Sequence, residues 1–305
     1  MNERNLIADL IKSLVQKTLG EDYSVELSYV RKNNSQIHTA LVIRKNDDNV
    51  APTIYINSLI DEILIGTGSM DKAVDAIIEA YNETLPKNFD ISALTDFNCV
   101  KDRIIFQIVN TSLNSELLED SPSVPFLNLS VIFKVTLDSL YDGCDATMLI
   151  KYRHLELWGV TKETIYEYAI KNTPRLFPAE IIQFADIFRE NCMEKDVSIP
   201  INQTVIADML PLYVLSNNSY RHGCSCIHYQ DLLAGFADKL GSDLYILPTS
   251  VNEVLIMPVT DSYTSPSELS DMVSDISQTY IKREEFLSDS IYIYLRDKKQ
   301  ITIAI

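Results

Sequence analysis

The residues best equipped for chemistry lie in two short stretches. His222-Gly-Cys224-Ser-Cys226-Ile-His228 sets two imidazoles among two thiols, and sulfur with imidazole is the ligand set that zinc prefers. If the stretch is extended, a period of two puts all four side chains on one side of a strand. Alternate residues of a strand are ~6–7 Å apart, so four such ligands cannot all reach one ion at about 2.0–2.3 Å. At most two would share a metal with ligands from elsewhere. The expectation is small buried thiols, exposed histidines and no metal.

The second stretch is Ser250-Val-Asn-Glu253, between Tyr245-Ile-Leu-Pro248 and Val254–Met257. Its S-x-x-E spacing lets Ser250 accept from the Glu253 amide while Glu253 reaches back, a one-turn capping box. Two uses stand open. One is a turn that reverses the chain. The other is a polar elbow at a strand end, where a carboxylate and backbone donors converge on a ligand. In that second use Glu253 is the catalytic candidate, as acid or base. Ser250, Asn252 and His222 join it as ligand-binding positioners. It requires Glu253 to point into a pocket with a raised pKa.

Other matches to catalytic patterns are incomplete. Ser69-Met-Asp-Lys72 has S-x-x-K spacing without the companion S-D-N and K-T-G elements, and a helix N-cap accounts for Ser69. Gly66-Thr-Gly68 continues to Asp71 where a dinucleotide fingerprint needs a third glycine. No G-x-S-x-G, H-E-x-x-H or P-loop is present. The expectation is a chain without a cofactor.

These stretches need elements to hold them. Leu6, Ile7, Leu10, Ile11, Leu14 and Val15 repeat at helical spacing, with Gly20 as a stop. Apolar alternation at Tyr23–Val30 and Ile37–Ile43 reads as a hairpin, followed by a short run at Thr53–Ile56. Ser69 caps a helix with Val74, Ile77, Ile78, Tyr81 and Leu85 on one face, closed by Pro86. Ile104–Val109, Leu127–Leu137 and Ala146–Tyr152 are strand candidates, the last two joined by a turn at Asp142-Gly143. Thr161 opens a helix carrying Ile165, Tyr168, Ala169 and Asn172, and a second helix is expected from about Pro178 to Met193. Trp158 is expected to anchor a core. Glu194–Met209 has no clean periodicity and is the candidate lobe boundary.

The last third reads β-α-β-β-α-β-β. Strands are expected at Leu212–Leu215, Leu244–Leu247, Val254–Met257, Ile291–Leu295 and Ile301–Ile305. Helices are expected at Tyr229–Leu240 and after the capping box Ser265-Pro266-Ser-Glu268. Tyr292, Tyr294 and Arg296 share one strand face, open either to a partner or to a covering helix. The fold class expected is α+β in two lobes, 1–195 and 210–305, each a mixed or mainly antiparallel sheet with helices packed on one face.

Composition narrows the partners. The 305 residues carry 26 Lys+Arg against 43 Asp+Glu, a formal net charge of −17. That balance argues against a nucleic-acid or anionic-membrane surface, because phosphate binding needs clustered cations. With only 8 glycines, a Gly-rich phosphate cradle is not expected either. Five cysteines are an odd and sparse set, which fits reduced thiols in a cytosol. The start, Met1-Asn-Glu-Arg-Asn-Leu, lacks the pattern of a signal peptide.

Ala51-Pro-Thr-Ile-Tyr-Ile-Asn57 and Gly241-Ser-Asp-Leu-Tyr-Ile-Leu-Pro-Thr-Ser-Val-Asn-Glu-Val254 resemble the bacterial family known as domain of unknown function 5688. Val100-Lys-Asp-Arg-Ile104, Leu157-Trp-Gly-Val-Thr161, Lys171-Asn-Thr-Pro-Arg175, Tyr213-Val-Leu-Ser-Asn217 and Phe286-Leu-Ser-Asp289 extend the resemblance in the same order. It implies no activity and carries no catalytic residue. The family's elbow reads Pro-Ser-Ser-x-His-Glu, where this chain has Thr249 and Asn252 for the first Ser and the His. An amide does not titrate near neutrality, so Asn252 could not replace a histidine base. The order of elements is also similar to domain of unknown function 1444, at the level of fold alone. The leading expectation is a cytoplasmic, non-enzymatic binding or regulatory module with a protein partner, a basic one by charge complementarity. The competing one is a hydrolase-like or small-ligand-binding enzyme at Pro248–Glu253.

Overall fold

The computed structural model describes residues 3–46, 48, 51–83, 91–137, 147–186, 211–260 and 266–304. The chain is α+β, and it divides into two compact units at Ser92–Ala93.

In the first unit, α1 (Glu3–Leu19) ends at Gly20, whose φ of 85° is the left-handed stop expected there. The hairpin β1 (Tyr23–Arg31) and β2 (Ile37–Lys45) pairs Tyr23 with Lys45 through to Arg31 with Ile37, and β3 (Thr53–Tyr55) adds beside β2. Two helices follow, α2 (Asn57–Leu64) and α3 (Met70–Glu83). The Ser69 hydroxyl accepts the Lys72 amide at 3.3 Å, so Ser69 is a helix cap. Ile7, Ile11 and Val15 of α1 meet Val25, Leu41 and Ile43 of the sheet and Val74, Ile77 and Tyr81 of α3 in one core. Leu6 and Leu10, expected in the α1 stripe, are exposed. The stripe is one residue narrower on that side because Ala8 takes the buried position. Leu85 and Pro86 lie outside the described residues.

The second unit opens with α4 (Phe97–Val100), β4 (Ile104–Asn110), α5 (Ser115–Glu119), β5 (Ser123–Phe126), β6 (Leu129–Thr136) and β7 (Thr147–Leu149). Then come α6 (Tyr152–Trp158), α7 (Lys162–Leu176), β8 (Ala179–Gln183) and β9 (Tyr213–Asn217). After a 3-10 turn at Gly223–His228 the chain forms α8 (Leu232–Leu240), β10 (Leu244–Leu247) and β11 (Val254–Pro258). It closes with α9 (Pro266–Tyr280), β12 (Tyr292–Leu295) and β13 (Gln300–Ile303).

Two antiparallel sheets organise this unit. In the smaller, β4 lies on one side of β6, with β5 and β7 on the other. The larger has the order β13-β12-β10-β11-β9-β8. Every residue of β4 is buried, so this end strand of the smaller sheet is covered on both faces. On one side α7 packs against it. There Thr173 accepts the Phe106 amide at 2.9 Å, and the Asn172 amide group bonds the carbonyls of Lys101 and Ile104. Pro174 sits in the last turn of α7 without ending it until Leu176. Trp158 is buried, as expected of an anchor, and its indole N–H reaches the Leu94 carbonyl at 2.8 Å.

Four expectations are corrected. Leu127 does not begin a strand: Leu127-Asn128 is the two-residue turn between β5 and β6, since Phe126 pairs with Leu129. Tyr152 starts a helix instead of ending a strand. Residues 179–183, expected in a helix, form β8, because the open edge of β9 pairs with Ala179–Gln183 residue by residue. That pairing joins residues on the two sides of 195–210 in one sheet, and the compact units divide near residue 92. The six-stranded sheet is also covered on both faces, where helices on one face were expected. Leu247, Met257 and Ile291 pack under Leu269 and Val273 of α9, while Ile246, Ile256, Tyr292 and Tyr294 enter the main core. The turn at Asp142-Gly143, the boundary segment Glu194–Met209 and the Ser265 cap lie outside the described residues.

Candidate functional site

The elbow Pro248–Glu253 connects β10 to β11, and neighbouring segments absorb its polar groups. Thr249 donates to the Leu247 carbonyl at 3.0 Å and accepts from the Leu287 amide at 3.1 Å. The Pro248 carbonyl accepts from Ser288 at 2.9 Å, and the Val251 amide donates to Glu285 at 2.7 Å. The Val251 carbonyl takes the Cys224 amide at 3.2 Å, and the Asn252 carbonyl takes the Ser216 hydroxyl at 2.7 Å. Buried backbone must be satisfied, and here it is.

The Ser250 and Asn252 side chains bond locally as well. Ser250 is buried, and its Oγ accepts the Asn252 amide at 3.0 Å. The expected capping box would use the Glu253 amide; the loop is tighter by one residue, a local Ser turn. The same hydroxyl bonds the Glu253 carboxylate. Burial raises the Glu253 pKa; the Ser250 bond partly offsets this, and the Glu285 charge adds to it. Asn252 Oδ1 accepts the His222 backbone amide at 3.2 Å. The fold places Ser250, Asn252, Glu253 and His222 beside one another. Among the described residues, their hydrogen bonds run to one another and to adjacent backbone.

His222 has a φ of 52° and begins the 3-10 turn. Burial, with Lys134 and Arg221 nearby, pushes its pKa down to about 3, so the ring is neutral at pH 7. Gly223 follows because nothing larger fits: a Cβ there would lie 2.1 Å from Ser216 Oγ and 2.4 Å from the Asn252 carbonyl oxygen. Cys224 and Cys226 are buried, as expected of small core thiols. Their thiols point at the carbonyls of Ile108 and Ser216. Burial raises both pKa values, that of Cys226 to about 12, which removes thiolate character. The stretch is a 3-10 turn, not a strand, and both flanking histidines are half-buried where exposed ones were expected. Among the described residues, no group of three His, Cys, Asp or Glu could hold a metal ion.

The far end of the same turn opens onto a cavity of about 420 Å³. Its walls are Phe126 and Leu127 of the β5–β6 turn, Ile227–Tyr229, Leu233 and Ala234 of α8, Tyr294 of β12 and Ile301 of β13. Asp231, Lys299 and Gln300 add polar groups. His228 Nε2 lies 3.1 Å from the Tyr166 hydroxyl, and the ring meets Phe126 edge-on at 4.8 Å and Phe106 at 5.4 Å. Burial lowers the His228 pKa, so this imidazole is neutral too. A cavity of this size, mostly apolar with a few polar groups, has the character of a ligand site. Sequence reasoning missed it. Only His228 carried a signal, as the last member of the Cys/His stretch.

Among the described residues no helix is long and apolar enough to cross a membrane. A family model described as "Family of unknown function (DUF5688)" matches residues 6–296. No curated protein and no solved structure matches the chain.

Proposed function

The chain belongs to DUF5688, a family of unknown function, and we propose that it is a non-enzymatic binding module that takes an extended segment of a protein partner along the open edge of β13. The observation that carries this reading is the hydrogen-bond phase of that strand. Ala304 donates to Ile291, so the alternation of an antiparallel pair turns the amides and carbonyls of Ile301 and Ile303 away from β12. Among the described residues β13 is the end strand of the six-stranded sheet, with nothing paired beyond it, and Ile303 is exposed. An unpaired edge is a template for strand addition. The net charge of −17 favours a basic partner and speeds its encounter at low salt. Unpaired, buried Cys224 and Cys226 support a reducing, cytoplasmic setting.

The test uses a synthetic peptide of alternating Val and Thr with interspersed Lys. Binding should protect the Ile301 and Ile303 amides from hydrogen exchange and weaken as salt rises. Ile303→Pro removes only an outward donor, so it should abolish binding while leaving the thermal midpoint in place. Equal binding to Ile303→Pro, or no binding at any salt concentration, overturns the proposal.

A second reading, an enzyme or small-ligand site at Pro248–Glu253, draws on the raised pKa of Glu253. It requires that Glu253→Gln abolish an activity while the fold is kept.

A further inference from the structure

Two residues that line the cavity beside His228 have polar atoms free to bond a ligand. His228 uses Nε2 for Tyr166, and its Nδ1 has no hydrogen-bond partner among the described residues. Tyr294 is buried, lines the same cavity, and its hydroxyl has no partner among the described residues either. Both residues line the cavity, so these polar atoms are available to a ligand group.

Backbone strain converges on the same place. Seven non-glycine residues have positive φ among those described, and three of them, Leu127 (56°), Asp231 (58°) and Lys299 (48°), line this cavity. They come from three separate loops: the β5–β6 turn, the start of α8 and the β12–β13 turn. Each left-handed residue costs on the order of 1 kcal/mol, and such residues cluster at ligand sites. For Leu127 no local side-chain bond offsets the cost, unlike Asn or Asp at such positions.

We propose that this cavity binds a small neutral phenol-type ligand, one aromatic ring bearing a hydroxyl group. The walls are aromatic and aliphatic, so a ring gains burial and edge-to-face contact with Phe126 and Tyr294. A neutral imidazole presents Nδ1 as donor or as acceptor according to its tautomer, and a hydroxyl can answer either. The Tyr294 hydroxyl is matched in the same way. Asp231 and Lys299 contribute one charge of each sign, which favours a neutral ligand over an anion or a cation. This inference rests on the cavity and stands apart from the β13 edge.

The experiment titrates the intact protein with p-cresol and with toluene, followed by calorimetry and by the ring resonances of His228. p-Cresol should saturate and shift those resonances. Toluene should bind about five-fold more weakly, the worth of one net hydrogen bond. His228→Phe should bring p-cresol down to the level of toluene, and Tyr294→Phe serves the same purpose if the first variant does not fold. Ala234→Phe fills the cavity and should block both ligands while the circular dichroism spectrum stays native. Absence of saturable p-cresol binding, equal affinity for toluene, or unchanged binding to Ala234→Phe overturns the proposal.

Discussion

One 3-10 turn carries a histidine at each end, and the two ends have opposite fates. At His222 the turn meets the Pro248–Glu253 elbow, where Ser216, His222 and Ser250 bond Asn252 while Cys224 and Glu285 bond the Val251 backbone. At His228 the turn meets a cavity where an imidazole nitrogen and the Tyr294 hydroxyl lack partners among the described residues. A dense set of reactive residue types marks the end whose bonds are spent on architecture. The end that opens on a cavity is built from residues far apart in the chain. Available space, not residue type, separates a clamp from a site.

The largest test of the clamp is Gly223→Ala. Its Cβ would collide with Ser216 Oγ, Ser216 Cα and the Asn252 carbonyl, two of which are backbone. The expected loss is about 3 kcal/mol or more, or failure to fold, read by denaturant unfolding. A loss below about 1 kcal/mol would mean the close approach is not a structural requirement. Next is Ser250→Ala, which strands the Asn252 amide and removes a partner of Glu253. It should cost about 1–3 kcal/mol.

pH sharpens the comparison. Both histidines have folded pKa values below the ordinary 6.5, so the unfolded chain binds more protons in that interval. The stability they contribute is present above pH 6.5 and is lost as pH falls from there toward about 3 for His222. Glu253, raised above its ordinary value, acts in the opposite sense: its contribution is full at low pH and is lost as pH rises through its folded pKa. The histidines should dominate, and the thermal midpoint should fall between pH 7 and pH 5. His222→Asn, which suits a left-handed backbone, should flatten that fall. An unchanged slope would contradict a neutral buried ring. The smallest effect is expected from Glu253→Gln, within about 1 kcal/mol of wild type near neutrality and leaning toward stabilisation, because it removes a desolvated charge. If it instead abolished peptide or p-cresol binding, the contrast between clamp and site would fail.

The β-α-β-β-α-β-β order of the last third was legible because each element is short, periodic and punctuated: Gly241 after α8, Pro258 at the end of β11, and the β12–β13 turn at Asp297-Lys-Lys. The hairpin of β1 and β2 was legible from the apolar alternation of its strands. β8 was not legible, since Ala179–Gln183 becomes a strand only when the edge of β9 is there to pair with it. The turn at Leu127 hid for a related reason: a bulky apolar residue in a left-handed turn reads as the start of a strand. Of the candidate site, the sequence could place Ser250, Asn252 and Glu253 side by side because they are neighbours along the chain.

What the chain determines unaided is local: which segments alternate, where they stop, which side chains could bond a neighbour two or three residues away, and how acidic the surface is. Which of those bonds are already taken is set by tertiary packing, because Ser216, Glu285 and Leu287 reach the elbow from distant segments. The same packing assembles the His228 cavity from three turns, and a void has no sequence of its own.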